Sequence, residues 1–375
     1  MIRPRRLLLV ATSMGRGGAE QQVVDLATTL RARGWVVAVL SMTAPSDHVD
    51  ELMAAGIDVA SLDMERGRPT PAGFLRYGAF VRRWRPDLVH SHMVHANLLA
   101  RMGRVFAPRV PVVCTIHNVI EGRRWREIAY RLTDPLASAT TAVSQAAAER
   151  SVRVDAVPRG RVTFIPNGFD FSRAQVAEGA GDAIRRELGV ADGFLWVTVG
   201  RLVPEKGHDM LLEAFETVHQ ARPDVRLAVA GDGPQRRALD QLIAERGLAG
   251  SAMLLGERRD VPALLAAANA FVLSSRWEGL PMVLLEAAAQ RLPIVCTDVG
   301  GCRDVARPEL GAVLAHPDPA DIARGMLRVM DLTPDERART GTDLRNLVRS
   351  EFDMDAVVVR WEELYASLLP VGDTV

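Results

Sequence analysis

Two charged clusters in the second half of the sequence have the residue types to do chemistry. The first is Val199-Gly200-Arg201-Leu202-Val203-Pro204-Glu205-Lys206-Gly207. A guanidinium grips a phosphate with paired N–H donors, and an ammonium acts as a compact point charge, so Arg201 and Lys206 suit one polyanion. Lys206 is the only lysine among 46 basic residues, in a chain that otherwise uses arginine for its cations. The second cluster runs from Arg276 through Glu278, Gly279, Leu280, Pro281 and Met282 to Glu286. Glu278 precedes a helix whose first turn holds Pro281. Glu286 falls inside that helix, among Leu284, Leu285 and a run of alanines, where a carboxylate needs a partner. A ribose diol is one partner, since a single carboxylate accepts two hydroxyl protons. A buried pair with arginine is the alternative.

A third motif, Gly15-Arg16-Gly17-Gly18-Ala19-Glu20, lies between a strand and a helix. There backbone N–H groups can approach an anion. Glu20 occupies the third glycine position of a dinucleotide fingerprint, and no Gly-Lys-Ser/Thr occurs, so neither a nicotinamide site nor a Walker loop is indicated. His90, His92, His95 and His117 lie near two strand ends. The directions of His90, His92 and His95, on a strand-to-helix junction, are expected to diverge, and no cysteine or paired carboxylate accompanies the four, so hydrogen bonding in a core or cleft is expected rather than a metal site. His117 is the functional candidate among them.

These residues must be positioned by alternating strands and helices. Strands are expected at residues 6–11, 35–42, 57–62, 87–90, 110–116, 140–143 and 161–165, with helix-length segments between most of them. Residues 19–33 have helical spacing at Val23, Val24, Leu26, Ala27 and Leu30, and Gly34 ends that run. A polar stretch with Gly179 and Gly181 follows. The alternation then restarts, with strands at 194–199, 225–230, 251–255, 270–273 and 293–297 and helices at 208–220 and 234–246. Apolar strands alternating with amphipathic helices predict parallel sheets covered on both faces. The expected organisation is a first domain at 1–172, a linker at 173–192 and a second domain at 193–352. A final amphipathic helix at 353–369 carries Val357, Val358, Trp361, Leu364 and Leu368 and has no strand after it. Ligands of such domains bind outside the carboxyl ends of the strands.

Composition narrows the class. The 375 residues carry 46 acidic and 46 basic side chains, so the net charge is zero and a broad nucleic-acid face is disfavoured. Cys114, Cys296 and Cys302 lack Cys-x-x-Cys spacing, and three cysteines do not make a disulfide framework, which points to a reducing compartment. No apolar run has the roughly 18 residues a membrane span needs. The basic start and short apolar run of residues 1–10 imitate a signal peptide but are too short for one. Arg123-Arg124-Trp125-Arg126 with Ile128, Tyr130, Arg131 and Leu132 is basic and aromatic at helical spacing. Arg82-Arg83-Trp84-Arg85 repeats that character, and Arg3, Arg5 and Arg6 add charge. Such segments suit an anionic membrane surface or a solvated helix face.

Taken in order, these motifs resemble the family 4 retaining glycosyltransferases of GT-B architecture over nearly the whole chain. The resemblance rests on Gly-Arg-Leu-x3-Lys-Gly at 200–207 and on Glu278 and Glu286 in Glu-x7-Glu spacing. It also rests on the opening Gly-Gly-Ala-Glu turn, Ser91-His92, Thr115-Ile116-His117-Asn118, Ile165-Pro166-Asn167-Gly168-Phe169-Asp170 and the closing helix. It implies an α/β fold of two doubly wound Rossmann-like domains with parallel sheets facing across a cleft, the last helix crossing back to the first domain. It implies transfer of a sugar from a UDP- or GDP-sugar to a glycan or lipid-linked acceptor, in surface polysaccharide, lipopolysaccharide or glycolipid assembly.

The resemblance also implies residue roles. Arg201 and Lys206 hold the donor diphosphate, so neither a metal nor any other cofactor is required. Gly17 and Gly18 offer N–H groups to the same diphosphate. Glu286 binds the ribose, and Glu278 sits beside the transferred sugar. The backbone of Gly279, Leu280, Pro281 and Met282 touches sugar or phosphate. His117 lies near the sugar, and His92, Asn118 and Asn167 line the acceptor side of the cleft. The implied location is the cytoplasm, at the cytoplasmic face of the inner membrane. An epimerase and a non-catalytic nucleotide-sugar-binding module are alternatives on the same frame. A phosphorylase is disfavoured because the sole lysine is already placed.

Overall fold

Two parallel sheets carry the chain, each in its own unit. The structure is a computed structural model and describes residues 4–15, 17–65, 70–118, 124–190 and 192–370. Unit one comprises residues 1–168 and 354–375, and unit two comprises residues 169–353. Arg3, Arg16 and Arg123, singled out above, lie outside the described residues.

The first sheet contains β1 (Arg6–Ala11), β2 (Val36–Ser41), β3 (Asp58–Ser61), β4 (Leu88–His92), β5 (Val112–Ile116), β6 (Ala139–Ala142) and β7 (Val162–Phe164). Their order is β3-β2-β1-β4-β5-β6-β7, and every pairing is parallel. The sequence Leu7-Leu8-Leu9-Val10 is wholly buried because helices cover both faces of β1. Leu7 and Leu9 pack toward one apolar cluster, Leu8 and Val10 toward another, which is the alternation a strand imposes. The chain winds outward from β1 one way and from β4 the other, so the direction reverses between β1 and β4.

The closing helix Met354–Leu368 completes this unit. Its Val357, Val358, Trp361 and Tyr365 join the cluster containing Leu7, Leu9 and Val23. Glu362 accepts from Trp35 Nε1 at 3.0 Å and from Arg33 at 2.8 Å, and Arg360 donates to the Phe164 carbonyl at 2.6 Å. The helix supplies apolar cover that the first sheet otherwise lacks.

The second sheet contains β8 (Leu195–Val199), β9 (Arg226–Ala230), β10 (Ala252–Gly256), β11 (Ala270–Leu273), β12 (Ile294–Thr297) and β13 (Val313–Ala315), in the order β10-β9-β8-β11-β12-β13 and again parallel. Its reversal point falls between β8 and β11.

Two expectations are corrected here. Residues 173–192 are not a linker. The helix Ala180–Glu187 packs against the helix Val261–Ala267, and Arg185 donates to the carbonyls of Ala267 and Gly193, so this stretch is built into unit two. The division falls instead between Gly168 and Phe169. β13 was not anticipated, because three residues are too few to print a strand pattern.

Candidate active site

The reversal point of the second sheet collects the charged clusters. The segment after β8 carries Arg201 and Lys206, and the segment after β11 carries Ser274, Ser275, Arg276 and Glu278. In an open α/β sheet, adjacent segments that leave in opposite directions open a crevice at the carboxyl ends of the strands. There Lys206 Nζ lies 2.6 Å from Glu278 Oε1, and Ser275 Oγ donates to the same oxygen at 2.6 Å. Both charged side chains are mostly covered, which strengthens their attraction. Ser274 Oγ donates to the Lys206 carbonyl at 3.0 Å. Arg276 clamps Asp209 through two bonds of 2.8 and 2.6 Å and donates to the Pro204 carbonyl at 2.7 Å. Its guanidinium holds the Asp209 carboxyl below its usual range. Arg201 stands exposed at the end of β8.

Two glycines make this packing feasible. A Cβ on Gly300 (φ 53°) would fall 1.9 Å from the Glu278 carbonyl oxygen, and one on Gly231 (φ 139°) would fall 2.0 Å from the Gly200 carbonyl oxygen. Only glycine admits both the conformation and the approach. The helix Met282–Ala289 starts just beyond Glu278, with Pro281 as its N-cap. Its first N–H groups have no carbonyl partner within the helix. Glu286 lies within that helix. Burial pushes its carboxyl up to about 7, against the opposing pull of the Arg173 charge. Gly279 accepts from the Gly301 N–H at 2.8 Å, tying this segment to the one after β12.

Unit one has its own reversal point, between β1 and β4. Gly17 caps the helix Gly18–Ala32 in extended conformation, and the Glu20 carboxylate lies against it, with a Cβ on Gly17 falling 2.5 Å from Glu20 Oε2. Glu20 accepts from Ser13 Oγ at 2.9 Å. His92 ends β4, and its Nδ1 is 3.0 Å from His117 Nε2, just past β5. His90 Nδ1 is 2.7 Å from the Tyr365 hydroxyl, and its Nε2 is 2.7 Å from Thr115 Oγ1. Burial lowers all three histidines, His117 to about 4 and His90 and His92 well below the ordinary value, so they are neutral at pH 7.

The expected divergence of the histidines holds only for His95, which belongs to the helix Val94–Gly103. His90 and His92 share a face of β4, with ring centroids 4.1 Å apart. Nor do His92 and Asn167 present an open surface: both are buried, His92 in contact with the His117 ring. Asn118 is exposed. Among the described residues no group of three or more His, Cys, Asp or Glu has the arrangement of a metal site. Sequence reasoning passed over Ser275, the Asp209–Arg276 clamp and Gly231. A signal existed for the last, since Gly231-Asp232-Gly233-Pro234 directly follows a strand.

Comparison with known proteins agrees with this architecture. Residues 16–173 match the family model "Glycosyltransferase Family 4", and residues 182–346 match "Glycosyl transferases group 1". The chain belongs to these glycosyltransferases and has their GT-B fold. It is 27% identical to the UDP-Gal:alpha-D-GlcNAc-diphosphoundecaprenol alpha-1,3-galactosyltransferase of Escherichia coli, over 67% of this chain and 68% of that one. It is 28% identical to glycogen synthase of Mycobacterium tuberculosis, over 93% and 91%. Among solved structures, Anabaena Alr3699/HepE in complex with UDP and glucose superposes with a TM-score of 0.86 at 22% identity, over 97% of this chain and 100% of that one. WaaG, a glycosyltransferase involved in lipopolysaccharide biosynthesis, gives 0.74 at 17% identity, over 98% and 100%.

Proposed function

We propose that this enzyme transfers a sugar from a UDP- or GDP-sugar to a glycan or lipid-linked acceptor in surface polysaccharide, lipopolysaccharide or glycolipid assembly, with retention and without a metal ion. The observation that carries this reading is the Lys206–Glu278–Ser275 cluster at the reversal point of the second sheet. A mostly covered ammonium with one carboxylate partner can take a second anion, and Arg201 stands exposed on the same segment. In this reading both cations meet the donor diphosphate, the N-terminus of the helix Met282–Ala289 adds its dipole, and Glu286 receives the ribose hydroxyls.

The chemistry follows from where charge develops. The bond from the anomeric carbon to the β-phosphate oxygen breaks ahead of attack. Negative charge gathers on the leaving diphosphate while the sugar becomes oxocarbenium-like. Lys206 and Arg201 stabilise the first charge, supplying what a divalent ion would otherwise give. Glu278 faces the second. The acceptor hydroxyl adds on the face the diphosphate leaves, and its proton passes to a diphosphate oxygen. The neutral His117 offers a hydrogen bond to a sugar hydroxyl without adding charge.

A lipid-linked acceptor calls for approach to a membrane. No helix among the described residues is long and apolar enough to cross one. The helix Arg124–Thr133 exposes Trp125, Ile128 and Leu132 along one stripe beside Arg124 and Arg131, which supports a peripheral contact with an anionic membrane surface.

Thermal denaturation in excess EDTA, with UDP, GDP, ADP and their sugar conjugates, tests the donor reading. A diphosphate at a hundred times its Kd stabilises by about 2.7 kcal/mol, so UDP or GDP should raise the midpoint by several degrees. Lys206→Ala should cost about a hundredfold or more in turnover. No shift with any nucleotide, or activity that returns only with added metal, contradicts the proposal.

A further inference from the structure

Unit one has a cavity of about 550 Å³ at the amino ends of β1 and β2, the edge of its sheet opposite to the strand ends that carry His92 and His117. Arg6, Arg82, Arg83, Trp84 and Arg85 line it, and no carboxylate appears among the described lining residues. Arg82, Arg83 and Arg85 are exposed there, and the Asp87 carboxylate lies beside Arg6, accepting from its backbone N–H at 2.8 Å, so the cluster leaves a local positive excess in a chain of zero net charge. A helix C-terminus attracts cations, and the helix Pro71–Trp84 ends here. Arg82 and Arg83 lie in its last turn, and Arg6 donates to the Trp84 carbonyl from Nε at 3.0 Å and from Nη2 at 2.7 Å.

The guanidiniums are also held in place. Arg6 stacks 4.2 Å from the Trp84 ring centroid, Arg82 lies 5.0 Å from that of Phe106, and Arg83 lies 5.7 Å from that of Phe80. Arg85 follows the helix in the left-handed conformation (φ 53°), which turns the chain at the rim of the cavity. Stacked guanidiniums keep their planar N–H forks for an anion and lose little freedom when they bind it.

We infer that this cavity is a second phosphate site, independent of the donor site, which takes a phosphate-bearing polyanion. The same chemistry could be offered by a soluble polyphosphate or by the headgroups of an anionic lipid.

The test uses the full chain as wild type, as Lys206→Ala, and as the triple variant Arg82→Gln, Arg83→Gln, Arg85→Asn. Asparagine tolerates the left-handed conformation that Arg85 adopts. Inorganic tripolyphosphate is titrated calorimetrically. Vesicles of phosphatidylglycerol and of phosphatidylcholine are assayed by co-sedimentation. The inference expects an affinity that Lys206→Ala retains and the triple variant loses by at least tenfold. If tripolyphosphate alone shows that loss, the ligand is a soluble anion; if only phosphatidylglycerol vesicles show it, the ligand is a lipid headgroup. Equal binding of both probes by wild type and triple variant overturns the inference, as does binding that only Lys206→Ala abolishes. Should the triple variant not fold, Arg85→Asn alone replaces it, with a loss of about threefold expected and an unchanged affinity counting against the site.

Discussion

Glu286 shows how one residue can trade stability for binding. Burial raises its carboxyl to about 7, above the ordinary value of 4.5. A raised carboxyl leaves folding undisturbed below pH 4.5. It then costs more as pH rises toward 7, because the unfolded chain releases the proton first. At about 1.4 kcal/mol per pH unit, the full cost above pH 7 is on the order of 1–3 kcal/mol, since the side chain keeps some exposure. Glu286→Gln should therefore raise the melting midpoint at pH 8, do so far less at pH 5, and weaken nucleotide binding by about tenfold. A midpoint that falls at pH 8 would count against the burial argument; an unchanged nucleotide affinity would count against the ribose role. This tension was half legible in the sequence, where a glutamate on an apolar helix announces a missing partner. The Lys206–Glu278 pair was not. Both residues stood out singly, but they are 72 positions apart, and their contact exists because β8 and β11 are neighbours, a fact of topology that no local pattern carries. The contact between His92 and His117 escaped notice for the same reason.

At the level of elements, the segments after β8 and β11 act as one rigid piece. Arg276 bonds Asp209 and the Pro204 carbonyl, and its own N–H donates to the Glu205 carbonyl at 2.8 Å. The clamp thus brackets the short 3-10 turn Pro204–Lys206 from both sides. The Arg276 and Asp209 side chains are each about a third or more exposed, so their charge attraction adds little to global stability. Their contribution is to hold Lys206 where charge develops. Arg276→Ala should move the melting midpoint by no more than about 3 °C, yet lower kcat by about tenfold with a smaller change in KM, since a misplaced stabiliser acts on the transition state. Equal losses of kcat and thermal stability would make the clamp merely structural. Element positions were mostly readable, because buried parallel strands print as apolar runs. β13 escaped for want of length, and the supposed linker was misread because the short helix Ala180–Glu187 buries only Ile184.

The buried histidines link the closing helix to the stability of the whole molecule in acid. His90, His92 and His117 lie in unit one and are held neutral by burial, and His90 bonds Tyr365 on that helix. Unit two has one comparable case, His208, lowered to about 4 by burial. A histidine lowered in the folded state leaves stability intact above its ordinary value of 6.5. Stability is lost as pH falls below that value, because the unfolded chain takes up protons the folded one refuses. At pH 5 each such histidine costs up to about 2 kcal/mol, and three in one unit make a total that rivals the stability of a typical domain. Acid should therefore open unit one before unit two. Limited proteolysis at pH 5, with cleavage sites mapped by mass spectrometry, should find early cuts within residues 4–168 and in the closing helix, while residues 169–353 resist. Return to pH 7.5 before protease is added should restore protection. Early cleavage of unit two instead would mean that its lone His208 or its ion pairs dominate acid stability. Identical patterns at both pH values would mean that the three histidines accept protons without unfolding the sheet they hold together.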